Sequence, residues 1–358
     1  MVIIHIVSSI NSTNFGIWNA AIFASEYLKL RWAVKSELWI CSKSINDTIS
    51  PGIPFNYFKK SQLSIRGINR WLSNFDRSDT VIVSHGAWLK PTFIGYLAKK
   101  KGYQWVYLSH GMFEPWALKV GKLKKKIYFL LLEKRMCIKA DIIRAVSKPE
   151  ENNLKALIRS EITLIRNGVS LPVLVLPEKS ADELIFLFLA RLHYKKGIVP
   201  LVKAWQSVMG GLSNVKLFIV GPDEGELPKI APYLTGNVSY LGPLFGEEKK
   251  NMLLRAHYYL LPSFSEGFPT SVVEAMSYGA IPVISEGCNF PEVFEEGLGF
   301  QITPEEESIC RVLKELGSVG FSHDLSKRNI KYVEQYLSEP IIGEMLYEMY
   351  CKMLSGKV

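Results

Sequence analysis

Two glutamates, Glu266 and Glu274, lie with seven residues between them in the run SFSEGFPTSVVEAMSYG, Ser263 to Gly279. Pro269 biases Phe268 toward an extended conformation, so Glu266, Gly267 and Phe268 read as loop. From Thr270 the pattern turns helical, with Val272, Val273 and Met276 apolar and Gly279 placed as a stop. The amides of Thr270, Ser271 and Val272 then fall in the first turn, where backbone donors have no partner inside the helix. Such a terminus is a ready anion site, and phosphate is its usual guest. Carboxylates repel phosphate but accept hydrogen bonds from hydroxyl groups. A ligand carrying both phosphate and hydroxyls, as a nucleotide sugar does, satisfies the whole pattern. The plainer reading is a solvated helix start where glutamate complements the dipole, and spacing alone leaves the two level.

Further charge of the right kind lies upstream. Arg191 and Lys196 follow an apolar run, Leu184 to Ala190, and flank a short loop ending at Gly197. Two cations there can neutralise a diphosphate, arginine by its planar fork and lysine as a point charge. No Asp-x-Asp occurs in the chain, so no acidic metal clamp is expected. Protein cations and the turn at Thr270 would take the place of a metal ion. Read alone, Arg191 and Lys196 are better taken as a pair of solvated surface charges; coupled to the paired glutamates the functional reading gains, and His193 and Lys195 are left as surface residues. His110 closes another apolar run, Trp105 to Ser109, and precedes Gly111; His85-Gly86 repeats that pattern one run earlier.

These residues resemble a known set. Glu266-Gly267-Phe268-Pro269 followed by Glu274-Ala275 resembles the paired-glutamate motif of retaining GT-B glycosyltransferases. The nearest group is family 4, which builds bacterial surface polysaccharides and glycolipids. Ala190 to Gly197, Asn167-Gly168-Val169 and Val220-Gly221-Pro222 extend the likeness, closely over the second half of the chain and more loosely over the first. The resemblance implies two facing Rossmann-like domains with a cleft between them, a hexose moved from a nucleotide sugar with retention, and no resident cofactor or metal. UDP is the nucleotide the family favours. It places Glu274 at the ribose and Glu266 at the hexose, and Arg191 and Lys196 at the diphosphate. Thr270 and Ser271 join them there, with Gly267, Phe268 and Pro269 shaping the loop. His110 comes near the transferred sugar and His85 stands as runner-up on the acceptor side. Asn14 and Gly16 lie in the loop after the first strand, where relatives carry adjacent glycines; a single glycine here weakens that contact. Glu286 to Asn289 is a second departure. The acceptor would be a glycan or a lipid-linked sugar. The alternatives are a nucleotide-sugar-binding protein without turnover and a nucleotide-sugar epimerase on the same fold.

Composition bounds these readings. At 358 residues the chain exceeds the about 250–300 at which single cores stop growing. Its 48% hydrophobic content excludes a disordered chain. The apolar runs fall well short of the roughly 20 residues that span a bilayer, and Val2 to Val7 reads as a first strand rather than a signal peptide. Cys41, Cys137, Cys288, Cys310 and Cys351 are odd in number and scattered, as expected of reduced thiols in a cytoplasmic enzyme. The net charge of +9 is uneven. Between Lys119 and Lys139, Lys119, Lys122, Lys124, Lys125, Lys126, Lys134, Arg135 and Lys139 face a single acid, Glu133. A basic helix there is either a solvated face or a contact with the anionic inner face of a membrane or a lipid phosphate. No motif accompanies it that would indicate nucleic acid.

The elements that must position these residues alternate. Strands are expected at Val2 to Ile10, Ser36 to Cys41, Thr80 to Ser84, Trp105 to Ser109, Ile142 to Val146 and Ile162 to Ile165. Helices are expected at Ile17 to Leu30, Lys90 to Lys100, Leu123 to Lys139 and from Pro149, capped by Ser147. Leu171 to Lys179, with two prolines, reads as a linker. Strands at Leu184, Val215, Val238, Tyr258 and Ile281 then alternate with helices, and helices close the chain. Two doubly wound α/β domains follow, 1–170 and 171–339, with 340–358 as a helix crossing back to the first. In such sheets ligands bind at the carboxyl ends of the strands.

Overall fold

A computed structural model describes residues 1–10, 15–42, 52–88, 90–119, 127–158, 160–172, 179 and 183–356. The chain divides into two compact units, Met1–Gly168 with Glu339–Val358, and Val169–Ser338.

The first unit is built on a seven-stranded sheet: β1 Val2–Val7, β2 Lys35–Ile40, β3 Phe55–Tyr57, β4 Thr80–His85, β5 Gln104–Leu108, β6 Ile142–Ala145 and β7 Ile162–Leu164. Its order is β3-β2-β1-β4-β5-β6-β7, and every pairing is parallel. Sequence explains the centre. β4 is buried along its whole length and β1 nearly so, and strands covered on both faces read as continuous apolar runs. Strand order reverses between β1 and β4, which sets a switch point there. Ser147 caps the helix Lys148–Leu157 as expected, its Oγ accepting from the Glu150 amide at 3.2 Å. The last helix, Glu339–Leu354, belongs to this unit: Tyr347 stacks on Trp32 at 4.0 Å, and Gly343 lies against Tyr27, where a Cβ would collide.

The second unit holds a six-stranded parallel sheet: β8 Leu184–Leu189, β9 Val215–Val220, β10 Val238–Tyr240, β11 Tyr258–Leu261, β12 Ile281–Ser285 and β13 Phe300–Ile302. The order is β10-β9-β8-β11-β12-β13. Here the reversal falls between β8 and β11. Phe186 and Phe188 of β8 are fully buried, as is Trp205 of the helix Ile198–Val208, and Trp205 meets Phe186 edge-on at 5.1 Å.

Some elements differ from expectation. The helix expected from Ile17 to Leu30 is two, Phe15–Ile22 and Ser25–Trp32, broken where Ala24 takes a left-handed φ of 63°. The basic helix expected from Leu123 lies partly outside the described residues. From Ile127 it runs through one π turn, Phe129–Glu133, and ends at Cys137. Edge strands β3 and β13 and the helix Ile65–Leu72 were not foreseen. Three-residue strands are too short to show alternation.

Candidate functional site

In the second unit the predicted residues sit on the loops at the carboxyl ends of β8 and β11, around the switch point, and on the helix Thr270–Ser277 that follows the second loop. The loop after β8 carries Arg191 to Gly197, and the loop after β11 carries Ser263 to Pro269. They are stitched together: the Phe264 amide donates to the Lys195 carbonyl at 2.8 Å, and Ser263 Oγ lies 3.0 Å from the same oxygen. Gly197 has φ 68°, and a Cβ there would collide with the Pro262 carbonyl, so only glycine permits this approach.

The interlock brings Lys196 Nζ to 2.6 Å from Glu266 Oε1, with side chains 14% and 12% exposed. Ser263 Oγ donates to the same carboxylate oxygen at 2.6 Å. The Glu266 backbone is held as firmly, its amide donating to Gly287 O and its carbonyl accepting from Asn289 Nδ2, each at 2.6 Å. Burial pushes the Glu266 carboxyl upward. The charges of Lys196 and Lys195, with hydrogen bonds from Lys196 and Ser263, outweigh it and hold the group below its ordinary range. Glu266 is therefore a fixed, ionised acceptor. Next to it Ser265 Oγ is buried and has no partner among the described residues.

The other predicted residues are also already partnered. Arg191 Nη1 lies 2.7 and 2.6 Å from the two Glu224 oxygens. Glu274 meets Lys249 Nζ at 2.6 Å. The helix Thr270–Ser277 begins as expected, but two of its first amides are occupied: Thr270 N–H donates to Phe268 O at 3.0 Å and Val272 N–H to Pro269 O at 2.8 Å. Ser271 N–H alone of the three has no partner among the described residues, and Ser271 Oγ lies 2.7 Å from the Tyr259 hydroxyl. Phe268 packs against Phe290, ring centroids 5.3 Å apart. The turn is thus held from behind rather than open on all three amides. Glu224 and Lys249 were not foreseen. The only signal was position: Asp223-Glu224 directly follows the Gly221-Pro222 that ends β9.

The first unit shows something that spacing did not reveal. His110 does not stand alone: His110 Nε2 lies 2.9 Å from His85 Nδ1, and His85 Nε2 lies 3.0 Å from His5 Nδ1. The three rings cross adjacent strands, from β1 through the end of β4 to the second residue after β5, at the carboxyl side of that sheet's switch point. Burial, reinforced by the Arg144 charge, lowers His5 and His110 to about 3 each. Burial and the neighbouring imidazoles drive His85 well below its ordinary value. The rings are neutral, so each interior contact has one donor and one acceptor, and His110 Nδ1 is left without a hydrogen-bond partner among the described residues. Reversing the polarity of the chain switches that atom between donor and acceptor. His110 itself has φ 51°, a left-handed conformation in a non-glycine residue. Glu150 pins it there, accepting from Ser109 Oγ and the Gly111 amide at 2.6 Å each. His5 could have been suspected from a polar ring inside an apolar run. Gly16 falls inside the helix Phe15–Ile22, where a Cβ would meet nothing within 4 Å. Nothing described there requires glycine, and Asn14 lies outside the described residues. Among the described residues no cluster of three or more His, Cys, Asp or Glu side chains has the geometry to hold a metal ion.

Two parallel doubly wound units, each with polar loops at its switch point, define the GT-B class. The crystal structure of Anabaena HepE in complex with UDP and glucose superposes with a TM-score of 0.76 over 98% of this chain and 100% of that one, at 17% identity. Residues 177–332 match the model for glycosyl transferases group 1 and residues 33–172 the model for glycosyltransferase family 4. The chain belongs to the family 4 type of GT-B glycosyltransferases. The phosphatidylinositol N-acetylglucosaminyltransferase subunit of Homo sapiens is 29% identical over 66% of this chain and 49% of its own. GDP-mannose:cellobiosyl-diphosphopolyprenol alpha-mannosyltransferase of Xanthomonas campestris is 26% identical over 77% and 75%. The chain spans half or less of the length of the first curated relatives it matches.

Proposed function

We propose that the chain transfers a hexose, with retention, from a nucleotide sugar to a lipid-linked or glycan acceptor, without a metal ion. The observation that carries this reading is the largely shielded Lys196–Glu266 pair, at 2.6 Å, at the sheet's switch point. It sets a cation and an ionised acceptor side by side, as a sugar diphosphate requires. Glu266 accepts from hexose hydroxyls and Glu274 from ribose hydroxyls. Arg191, Lys196 and the Ser271 amide stabilise the departing diphosphate as positive character develops at the sugar carbon. Because Arg191 pairs with Glu224 and Glu274 with Lys249, a bound donor would exchange those ion pairs for its own contacts. His110 Nδ1 meets the sugar, and His85 and His5 fix its tautomer. Retention rests on the motif, and UDP on family habit and on the HepE complex. A lipid acceptor is supported by the two curated relatives named above, whose acceptors are lipids.

The test is incubation with UDP-, GDP- and ADP-sugars, with and without lipid-phosphate acceptors. Nucleoside diphosphate release with sugar appearing on the acceptor, or slow hydrolysis without one, is expected. Binding with no turnover, or conversion of one nucleotide sugar into its epimer, would replace this reading.

A further inference from the structure

The chemistry above leaves one buried charge of the first unit without a role. Arg144 lies in β6 and is 4% exposed. Strand register places it in one cross-strand row with Leu108 of β5 and His85 of β4, so the three side chains share a face of the sheet. His85 and Arg144 are two strand spacings, roughly 10 Å, apart. Three hydrogen bonds carry the guanidinium to the segment after β7. Nε donates to Ile165 O at 2.9 Å, and Nη2 donates to Arg166 O at 3.1 Å and to Asn167 Oδ1 at 3.3 Å. All three acceptors are neutral.

A buried cation is ordinarily matched by a carboxylate. Among the described residues none stands within ion-pair distance of Arg144. Glu150, whose charge Arg144 feels, is satisfied elsewhere: Oε1 accepts from Ser109 Oγ and the Gly111 amide, and Oε2 from the Val146 amide. Arg144 Nη1 has no hydrogen-bond partner among the described residues, and it is not sealed from solvent. The Tyr350 hydroxyl of the last helix is in the same position. That residue is 2% exposed, its hydroxyl is likewise unpartnered and unsealed, and its charge state and that of Arg144 influence each other. Burial raises the phenol to about 12 and lowers Arg144 to about 10, so at neutral pH one is a neutral donor and the other a cation.

We propose that Arg144 Nη1 and the Tyr350 hydroxyl hold a carboxylate, so that the acceptor is a glycan ending in a uronic acid whose hydroxyls meet His110. The proposal rests on the glycan-acceptor reading above and names the chemical class of that acceptor. With Nε and Nη2 engaged, the guanidinium offers one nitrogen rather than a two-pronged fork. One charge and one hydroxyl match a monoanion. A phosphate dianion would bring a second negative charge into a site whose other neighbours, the three imidazoles, are neutral.

The experiment is binding, followed by NMR titration of the full chain, of two pairs of sugars that differ only at C6. These are methyl glucuronide with methyl glucoside, and methyl galacturonide with methyl galactoside; glucose 6-phosphate serves as the dianion. In the parent chain at least one uronide is expected to bind about tenfold to a hundredfold tighter than its neutral twin. R144Q should bring that ratio to within about twofold, whereas a merely structural loss would weaken both members of a pair alike. Y350F removes only a hydroxyl and should lower the ratio by roughly tenfold; it decides the question if R144Q does not fold. Equal affinity within both pairs in the parent chain would overturn the proposal, as would a uronide preference unchanged in Y350F. Tighter binding of glucose 6-phosphate than of either uronide, lost in R144Q, would overturn it in favour of a phosphate site. Nucleotide-sugar binding to the parent chain separates these outcomes from failure of the transferase reading, since the donor residues lie in the other unit.

Discussion

Replacing Lys196 by methionine keeps the aliphatic stem but removes the charge that holds Glu266 ionised. Glu266 is 12% exposed and would keep only Ser263 as a close partner. Breaking a buried pair from one side costs about 3–5 kcal/mol, because the remaining charge is left uncompensated. For a unit of this size that corresponds to a midpoint lowered by roughly 6–20 °C. The loss should depend on pH in a definite direction. In the parent chain the folded carboxyl titrates below its unfolded value, so its contribution is present above the unfolded value and disappears as pH falls through the folded one. In K196M, burial acts without the cation and raises the carboxyl. Ionised Glu266 then destabilises at neutral pH, and the gap between the chains narrows on acidification. K196M/E266Q should recover to within about 1 kcal/mol of the parent, since a neutral amide can still meet Ser263, yet transfer should stay abolished. Denaturant unfolding of the four chains at two pH values measures this cycle. A cost for K196M below about 1 kcal/mol, typical of exposed pairs, or no recovery in the double variant, would show that the pair is not the buried, coupled unit described above.

Other expectations concern the remaining partners. R191A should weaken nucleotide-sugar binding by about tenfold to a hundredfold, the range for a hydrogen bond to a charged group. E224Q, by releasing Arg191, should leave that binding equal or tighter; weaker binding in E224Q would show that Glu224 serves the donor itself. His85→Phe should lower transfer by about tenfold to a hundredfold through misplacement of His110, with donor affinity unchanged; an unaltered rate would remove the relay from the mechanism. The imidazole resonances of His5 and His110 should stay at neutral positions from pH 7.5 to 5, because both rings are lowered to about 3. Since the unfolded chain takes up those protons first, each ring withdraws roughly 1 kcal/mol of stability between pH 6.5 and 5.5. Inflections near pH 6.5 for these rings would contradict the buried relay.

Much of the architecture was legible because parallel strands covered on both faces need unbroken apolar runs. Val2 to Val7, Thr80 to His85 and Leu184 to Leu189 announce themselves that way, and Ser147 before Pro149 marks its helix start. Edge strands such as Phe55–Tyr57 carry no such run. The motif located Glu266 and Lys196, but not their direct contact, which depends on two loops meeting across a glycine that only folding brings beside Pro262. Arg191 read as a free cation because its partner Glu224 lies on the next strand's loop, 33 residues away. His85 and His110 carried identical local signals, His-Gly after an apolar run. Their union with His5 arises from strand order, which places β1, β4 and β5 side by side.

On this reading one end of the donor site recognises ribose and the other the sugar, with cations between. Calorimetric titration of E274A and E266Q with the nucleotide sugar that the panel selects, and with its nucleoside diphosphate alone, probes that division of labour. E274A is expected to weaken both ligands by about tenfold to a hundredfold. E266Q should weaken only the nucleotide sugar and leave the diphosphate bound as tightly or more so, with Lys196 released to it. Equal losses for both ligands in both variants, or no loss in either, would contradict it.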